Sequence, residues 1–120
     1  MNVLILGASS NPERYAYQAV ERLVAAGHTC YLLGARPGTA VGLPIWTTWP
    51  EGEVFKPDTI TLYLGPKTQK NYESKILNSG ARRVIFNPDT ENQTLEIELD
   101  ERGVEVLRAC TLVMLSTGTF

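Results

Sequence analysis

The sequence predicts an α/β fold: a doubly wound, parallel, five-stranded sheet with helices on both faces. Three observations carry that expectation. Five short apolar runs recur along the chain, at Val3–Leu6, Cys30–Leu33, Ile60–Leu64, Val84–Phe86 and Val104–Leu107. They read as continuously buried parallel strands. Helical periodicity separates most of them, as a βαβ succession requires. The first run stops at Gly7, and Ala8-Ser9-Ser10-Asn11 then lead into a helix. A strand that hands over to a helix in this way leaves unpaired amides at the helix start, where they can receive a phosphate.

Between the first two strands, Ala16, Ala19, Val20, Leu23 and Ala26 recur at three- and four-residue steps, so Tyr15–Ala26 is predicted as a helix ended by Gly27. Lys70–Ser79 repeats the pattern more weakly through Tyr72, Ile76 and Leu77, and Leu95, Ile97 and Leu99 mark a third helix ending at Gly103. The crossover from Gly34 to Asp58 holds four prolines and four glycines without helical periodicity, together with Val41, Leu43, Ile45, Trp46, Trp49 and Phe55. It is expected to be irregular, with a helical turn around Glu51, and to cover one sheet face with bulky side chains. Ala109–Leu115 closes the apolar pattern, with Cys110 at the start of a short helical segment.

Such a succession is Rossmann-like. With the five strands numbered in chain order, the expected sheet order is 3-2-1-4-5 with right-handed crossovers. That order puts the topological switch between the first and fourth strands. Gly7–Asn11 and Asn87–Pro88 would then face one another across a ligand crevice, and Cys110 would lie about 10 Å from the Gly7 loop, two strand spacings away.

At 120 residues the chain is read as one domain, 1–120. No apolar run approaches the roughly 20 residues of a membrane span, and no apolar leader follows a charged start, so a cytoplasmic location is expected. A net charge of −2 argues against nucleic acid as a partner. Seven of the thirteen acidic residues fall between Asp89 and Glu105, which reads as a solvated helix face and not a catalytic pair. Arg14, Arg36 and Lys67 each follow an apolar run, which would gather three cations at the carboxyl ends of the strands, a place for an anionic ligand.

The absent motifs are equally informative. A dinucleotide fingerprint needs further glycines where this chain has Ser9 and Pro12, and an acidic residue after the second strand, where it has Leu33-Gly34-Ala35-Arg36. Arginine there suits a phosphorylated ribose, as in NADP or coenzyme A. His28, the only histidine, falls at the amino end of the sheet, and neither a metal set nor a nucleophile–base pair assembles around it. The chain is therefore expected not to be an enzyme. Cys30 reads as a small buried hydrophobe, and Cys110 equally as a packed residue or as a thiol activated at a helix start.

With these residues in view, the chain resembles the small stand-alone CoA-binding proteins, which share the fold of the CoA-binding domain of the succinyl-CoA synthetase α subunit. The carriers are Gly7-Ala8-Ser9-Ser10-Asn11-Pro12-Glu13-Arg14, Ala26-Gly27-His28, the turn through Arg36, Asn87-Pro88-Asp89 and Ala109-Cys110-Thr111-Leu112-Val113-Met114. The resemblance implies that coenzyme A or an acyl-CoA is bound without catalysis. Gly7, Ala8, Ser9, Ser10, Asn11 and Arg14 would hold the diphosphate, and Gly34, Ala35 and Arg36 would lie near the adenosine end. Leu64, Gly65, Asn87 and Pro88 would line the rest of the groove, and Cys110 would approach the pantetheine thiol closely enough for a mixed disulfide. The family often has Asn-Pro-Arg after the second strand and commonly glycine where Asp89 stands.

Two other readings remain open from the sequence. One is an NADP-linked oxidoreductase or a subunit of one. The other is an interaction module of an acyl-CoA ligase system with a patch around Trp46, Trp49 and Phe55. A protein partner or a homo-oligomer is compatible with either.

Overall fold

The computed structural model describes residues 1–50 and 55–120. The chain runs β1 (Asn2–Leu6), α1 (Tyr15–Ala25), β2 (Thr29–Leu33), β3 (Gly38–Ala40), β4 (Leu43–Trp46), β5 (Thr59–Leu62), α2 (Pro66–Gln69), α3 (Glu73–Leu77), β6 (Arg83–Phe86), α4 (Gln93–Glu101), β7 (Glu105–Arg108) and α5 (Thr111–Thr117). Seven strands form one sheet in the order β3-β4-β2-β1-β5-β6-β7, parallel throughout except for the β3–β4 pair.

β1 is apolar without alternation because both its faces are covered. Val3 and Ile5 join Ala16, Val20 and Leu23 of α1 in one core layer. Leu4 and Leu6 join Ile60, Leu62, Ile76, Leu95 and Leu99 in the other, beneath α3 and α4. Burying Val20 and Leu23 contributes about 1.5–3 kcal/mol each, which is what seats α1 on the sheet. The doubly wound α/β class is thus correct.

The strand count and order need correction. The crossover expected to be irregular contains a hairpin, β3-Val41-Gly42-β4, and β4 pairs in parallel with β2 through Leu32–Ile45 and Leu33–Trp46. β4 therefore fills the position beyond β2 that Ile60–Leu64 was expected to occupy. The chain then returns to the other side of β1, where β5 pairs from Val3–Thr59 to Leu6–Leu62. The switch point consequently lies between β1 and β5, and the loop after β5, not Asn87–Pro88, directly faces Gly7. The family of topologies was right, but the two strands of the hairpin, β3 and β4, went uncounted.

Two smaller expectations also shift. Lys70–Ser79 is not one helix: a short α2 begins at Pro66 and α3 spans Glu73–Leu77. The helical turn expected around Glu51 lies outside the described residues. The bulky side chains of the crossover do cover a sheet face. Phe55 meets Tyr31, Trp46 and Trp49 edge-on at centroid distances of 5.0, 6.0 and 5.7 Å. Phe55 is thereby buried, and Trp46 and Trp49 pack half-buried against the core. Among the described residues no helix is long and apolar enough to cross a membrane.

Candidate functional site

The carboxyl ends of the central strands open on a cleft of about 840 Å³. Its floor is the β1–α1 loop, and two glycine positions explain how the backbone gets there. Gly7 has φ +104°, and a Cβ on it would stand 2.9 Å from the Tyr63 carbonyl carbon. Gly34 is buried against the Ala8 carbonyl oxygen, where a Cβ would collide. Only glycine lets the loops after β1, β2 and β5 converge here.

The amides of this loop divide into two sets. Those of Gly7 and Ala8, two of the residues expected to hold the diphosphate, both donate to the Leu33 carbonyl, at 2.8 and 2.9 Å, and are already occupied. The Asn11 amide donates to Ser9 Oγ at 3.1 Å, and the Glu13 amide to Asn11 Oδ1 at 3.0 Å, which are side-chain-closed turns that shape the loop. Among the described residues the amides of Ser9, Ser10, Tyr15, Ala16 and Tyr17 have no acceptor. The last three form the first turn of α1, whose N-cap residue Arg14 supplies no side-chain cap. An uncapped helix start carries the positive end of the macrodipole and orphan donors together.

Arg14 and Arg36 line the cleft and are exposed, and among the described residues neither has an acidic partner. Lys67, expected to join them, is exposed on α2 away from the lining. The far wall is formed by Tyr63, Gly65 and Pro88–Thr90. Asp89 brings a carboxylate to that wall and holds φ at +75°, a left-handed conformation that explains why glycine suits the position.

Of the residues singled out from sequence, Gly7, Ala8, Ser9, Ser10, Asn11, Arg14, Ala35, Arg36, Gly65 and Pro88 lie on the cleft. Gly34 supports it from behind. Leu64 turns into the core layer, and Asn87 is a buried structural hub. The Asn87 side chain donates to Thr61 Oγ1 at 2.7 Å and to the Leu62 carbonyl at 2.8 Å, and its Oδ1 accepts from the Thr111 amide at 2.8 Å. It thereby ties β5, β6 and α5 together.

Cys110 is half-buried as the N-cap residue of α5 and is not on the cleft lining. β7 stands three strands from β1 and not two, so the separation expected from strand spacing is about 14 Å. Cys30 is buried, and that burial pushes its thiol up to about 11, as befits a small hydrophobe.

Sequence reasoning missed Tyr15, Ala16, Tyr63 and Thr90. Tyr63 was legible in principle: Leu6 pairs with Leu62, so the next residue of β5 stands opposite Gly7. Tyr63 lines the cleft, and its hydroxyl is buried without a partner in hydrogen-bonding geometry. Burial pushes that hydroxyl up to about 12, and the nearby Thr111 and Thr61 hydroxyls offset only part of the effect.

A doubly wound α/β sheet with a cleft at its switch point is the place where such folds take up ligands. Comparison with known proteins goes further. A family model described as "CoA binding domain" matches residues 1–116, and the chain belongs to that family. The crystal structure of an uncharacterized protein superposes with a TM-score of 0.93 at 46% identity, over 99% of this chain and 97% of that one. A hypothetical protein from Pyrococcus horikoshii OT3 gives 0.85 at 22% identity, over 96% and 81%. The cell-free ID.343 structure from Thermus thermophilus gives 0.84 at 17% identity, over 99% and 90%. The latter two share the fold. No curated protein matches the chain at a significant level.

Proposed function

We propose that the cleft binds coenzyme A, free or as an acyl thioester, and that the protein acts as a binder and not as a catalyst. The diphosphate rests against the amides of Ser9, Ser10 and the first turn of α1, with Arg14 beside it. Arg36 pairs with the 3′-phosphate of the ribose, and the pantetheine arm follows the wall of Gly65 and Pro88–Thr90. One observation carries the reading: an uncapped helix start and two guanidiniums without acidic partners share one cleft in a chain of the CoA-binding domain family. Each half of the pair needs an anion, and CoA supplies phosphates for both. The side chains on the cleft include one carboxylate, Asp89, and two tyrosines, Tyr15, which is exposed, and Tyr63, whose hydroxyl is buried, which is a poor set for proton transfer.

Native mass spectrometry of freshly isolated protein tests this. The expected result is a CoA-sized adduct that survives thiol reductant, because Cys110 is off the cleft. An adduct released by reductant would put the ligand's sulfur on Cys110. An NADP-sized adduct would overturn the assignment in favour of a dinucleotide.

A further inference from the structure

We infer that Gln69 is a positioning residue, setting the wall of the cleft that takes the ligand's pantetheine arm. The inference rests on the CoA reading above. Gln69 ends α2 and is 0% exposed, an unusual place for an uncharged polar side chain of its length. Its Nε2 donates to the Leu64 carbonyl at 2.8 Å and to the Thr90 carbonyl at 2.7 Å. Its Oε1 accepts from Asn92 Nδ2 at 2.9 Å. Both donor hydrogens are thus spent on main-chain carbonyls of two different loops.

Those loops are the far wall of the cleft. Leu64 immediately precedes Gly65, and Thr90 itself lines the space. The parallel sheet sets the ends of β5 and β6 side by side, but nothing in the strand ladder continues past Leu62 and Phe86. Beyond the Asn87 bond to the Leu62 carbonyl, the Gln69 amide bridges the two directly among the described residues. It is itself anchored, because Asn92 is the N-cap of α4, accepting from the Leu95 amide at 3.3 Å while Glu96 accepts from the Asn92 amide at 2.8 Å. A buried glutamine in an ordinary core would be satisfied anywhere. This one spans the seam along which the arm is placed.

The test uses two probes, CoA and adenosine 3′,5′-bisphosphate, which carries the 3′-phosphate and the first of the two 5′-phosphates but has no arm. Gln69→Leu keeps approximate volume and removes both donors. Titration calorimetry should show CoA affinity falling about tenfold, the scale of one to two lost buried hydrogen bonds, with the bisphosphate changed less than about threefold. Equal losses on both probes would mean general destabilisation, and no loss on either would mean no positioning role; both overturn the inference.

Should Gln69→Leu fail to fold, Gln69→Glu serves. Its carboxylate repels both carbonyls, and its protonated form restores one donor, so CoA affinity relative to wild type should recover as pH falls. A flat ratio overturns the inference. If wild type binds neither probe, the CoA reading fails by itself. Amide exchange then decides the tether: Thr90 must exchange faster in the variant while β1 amides do not, and unchanged exchange at Thr90 overturns it.

Discussion

Replacing Asp89 by glycine should make the protein both more stable and a tighter binder, against the usual direction of point substitutions. Asp89 is the third residue of a turn that the Thr90 amide closes on the Asn87 carbonyl at 3.0 Å, and its φ of +75° is the value such a turn demands. The left-handed region costs an L-residue about 1 kcal/mol or somewhat more, and glycine's greater freedom in the unfolded chain takes back roughly 0.5 kcal/mol. A net gain of about 0.5 kcal/mol remains, or a rise of ~2 °C in melting temperature for a domain of this size.

Charge acts on binding. A carboxylate about 8 Å from a phosphate repels it by roughly 0.5 kcal/mol per unit charge in water-like surroundings. Two phosphate charges at that range put the gain in CoA affinity at about threefold to fivefold, shrinking as salt is raised. Thermal melts and calorimetry of Asp89→Gly and Asp89→Ala separate the two effects, since alanine removes the charge and keeps the Cβ. Alanine should tighten binding without stabilising. Weaker CoA binding in both variants would refute the electrostatic argument, and equal stability of the two would refute the strain argument.

Arg36→Ala should weaken CoA about tenfold more than dephospho-CoA, measured by titration calorimetry; equal losses would remove its pairing with the ribose phosphate. Val41 holds φ at +53° in the β3–β4 turn, a poor place for a β-branched residue. Val41→Asn should raise denaturant stability by about 0.5–1 kcal/mol, as ~1–2 kcal/mol of relieved strain exceeds the packing lost from a half-buried side chain.

Glu96 supplies a pH dependence. Burial works to raise its carboxyl, but Arg108, at 2.7 Å, and the Asn92 amide outweigh it and hold the pKa below its ordinary 4.5. A carboxyl lowered in the folded state contributes stability that is complete above the unfolded value and fades as pH falls through the folded one. Between about pH 7 and pH 3, wild type should therefore lose more stability than Glu96→Gln. Parallel losses in denaturant melts would show that the contact is not the source.

The parts of the fold legible in sequence were those where burial on both faces leaves an uninterrupted apolar run. Val3–Leu6 could be nothing but a central strand, and α1 follows from the spacing of Ala16, Ala19, Val20 and Leu23, all buried. The hairpin was hidden by chemistry. Its two-residue turn is Val41-Gly42 where Asn-Gly would announce it, β3 has three residues, and β4 contains Pro44, which ordinarily argues against a strand. Losing β4 misplaced Ile60–Leu64 beside β2 and so gave β1 the wrong second neighbour, and with it the partner of Gly7, while the pairing of Val84–Phe86 with Val104–Leu107 came out as expected.

The β1–α1 loop was legible because a glycine-ended strand that hands over to a helix is a recurrent pattern. Gln69 was not, because its partners are carbonyls of Leu64 and Thr90, and carbonyls carry no sequence signature. The Gly7 and Ala8 amides were misjudged for the same reason, their acceptor being the Leu33 main chain.

A ¹⁵N–¹H amide titration with CoA reads the proposed grip of the orphan main-chain donors after β1 on the diphosphate. The largest shifts should fall on Ser9, Ser10, Tyr15, Ala16 and Tyr17, with Gly7 and Ala8 moving less because Leu33 already holds them. Shifts concentrated elsewhere, or confined to side-chain neighbours while those five amides stay in place, would contradict it.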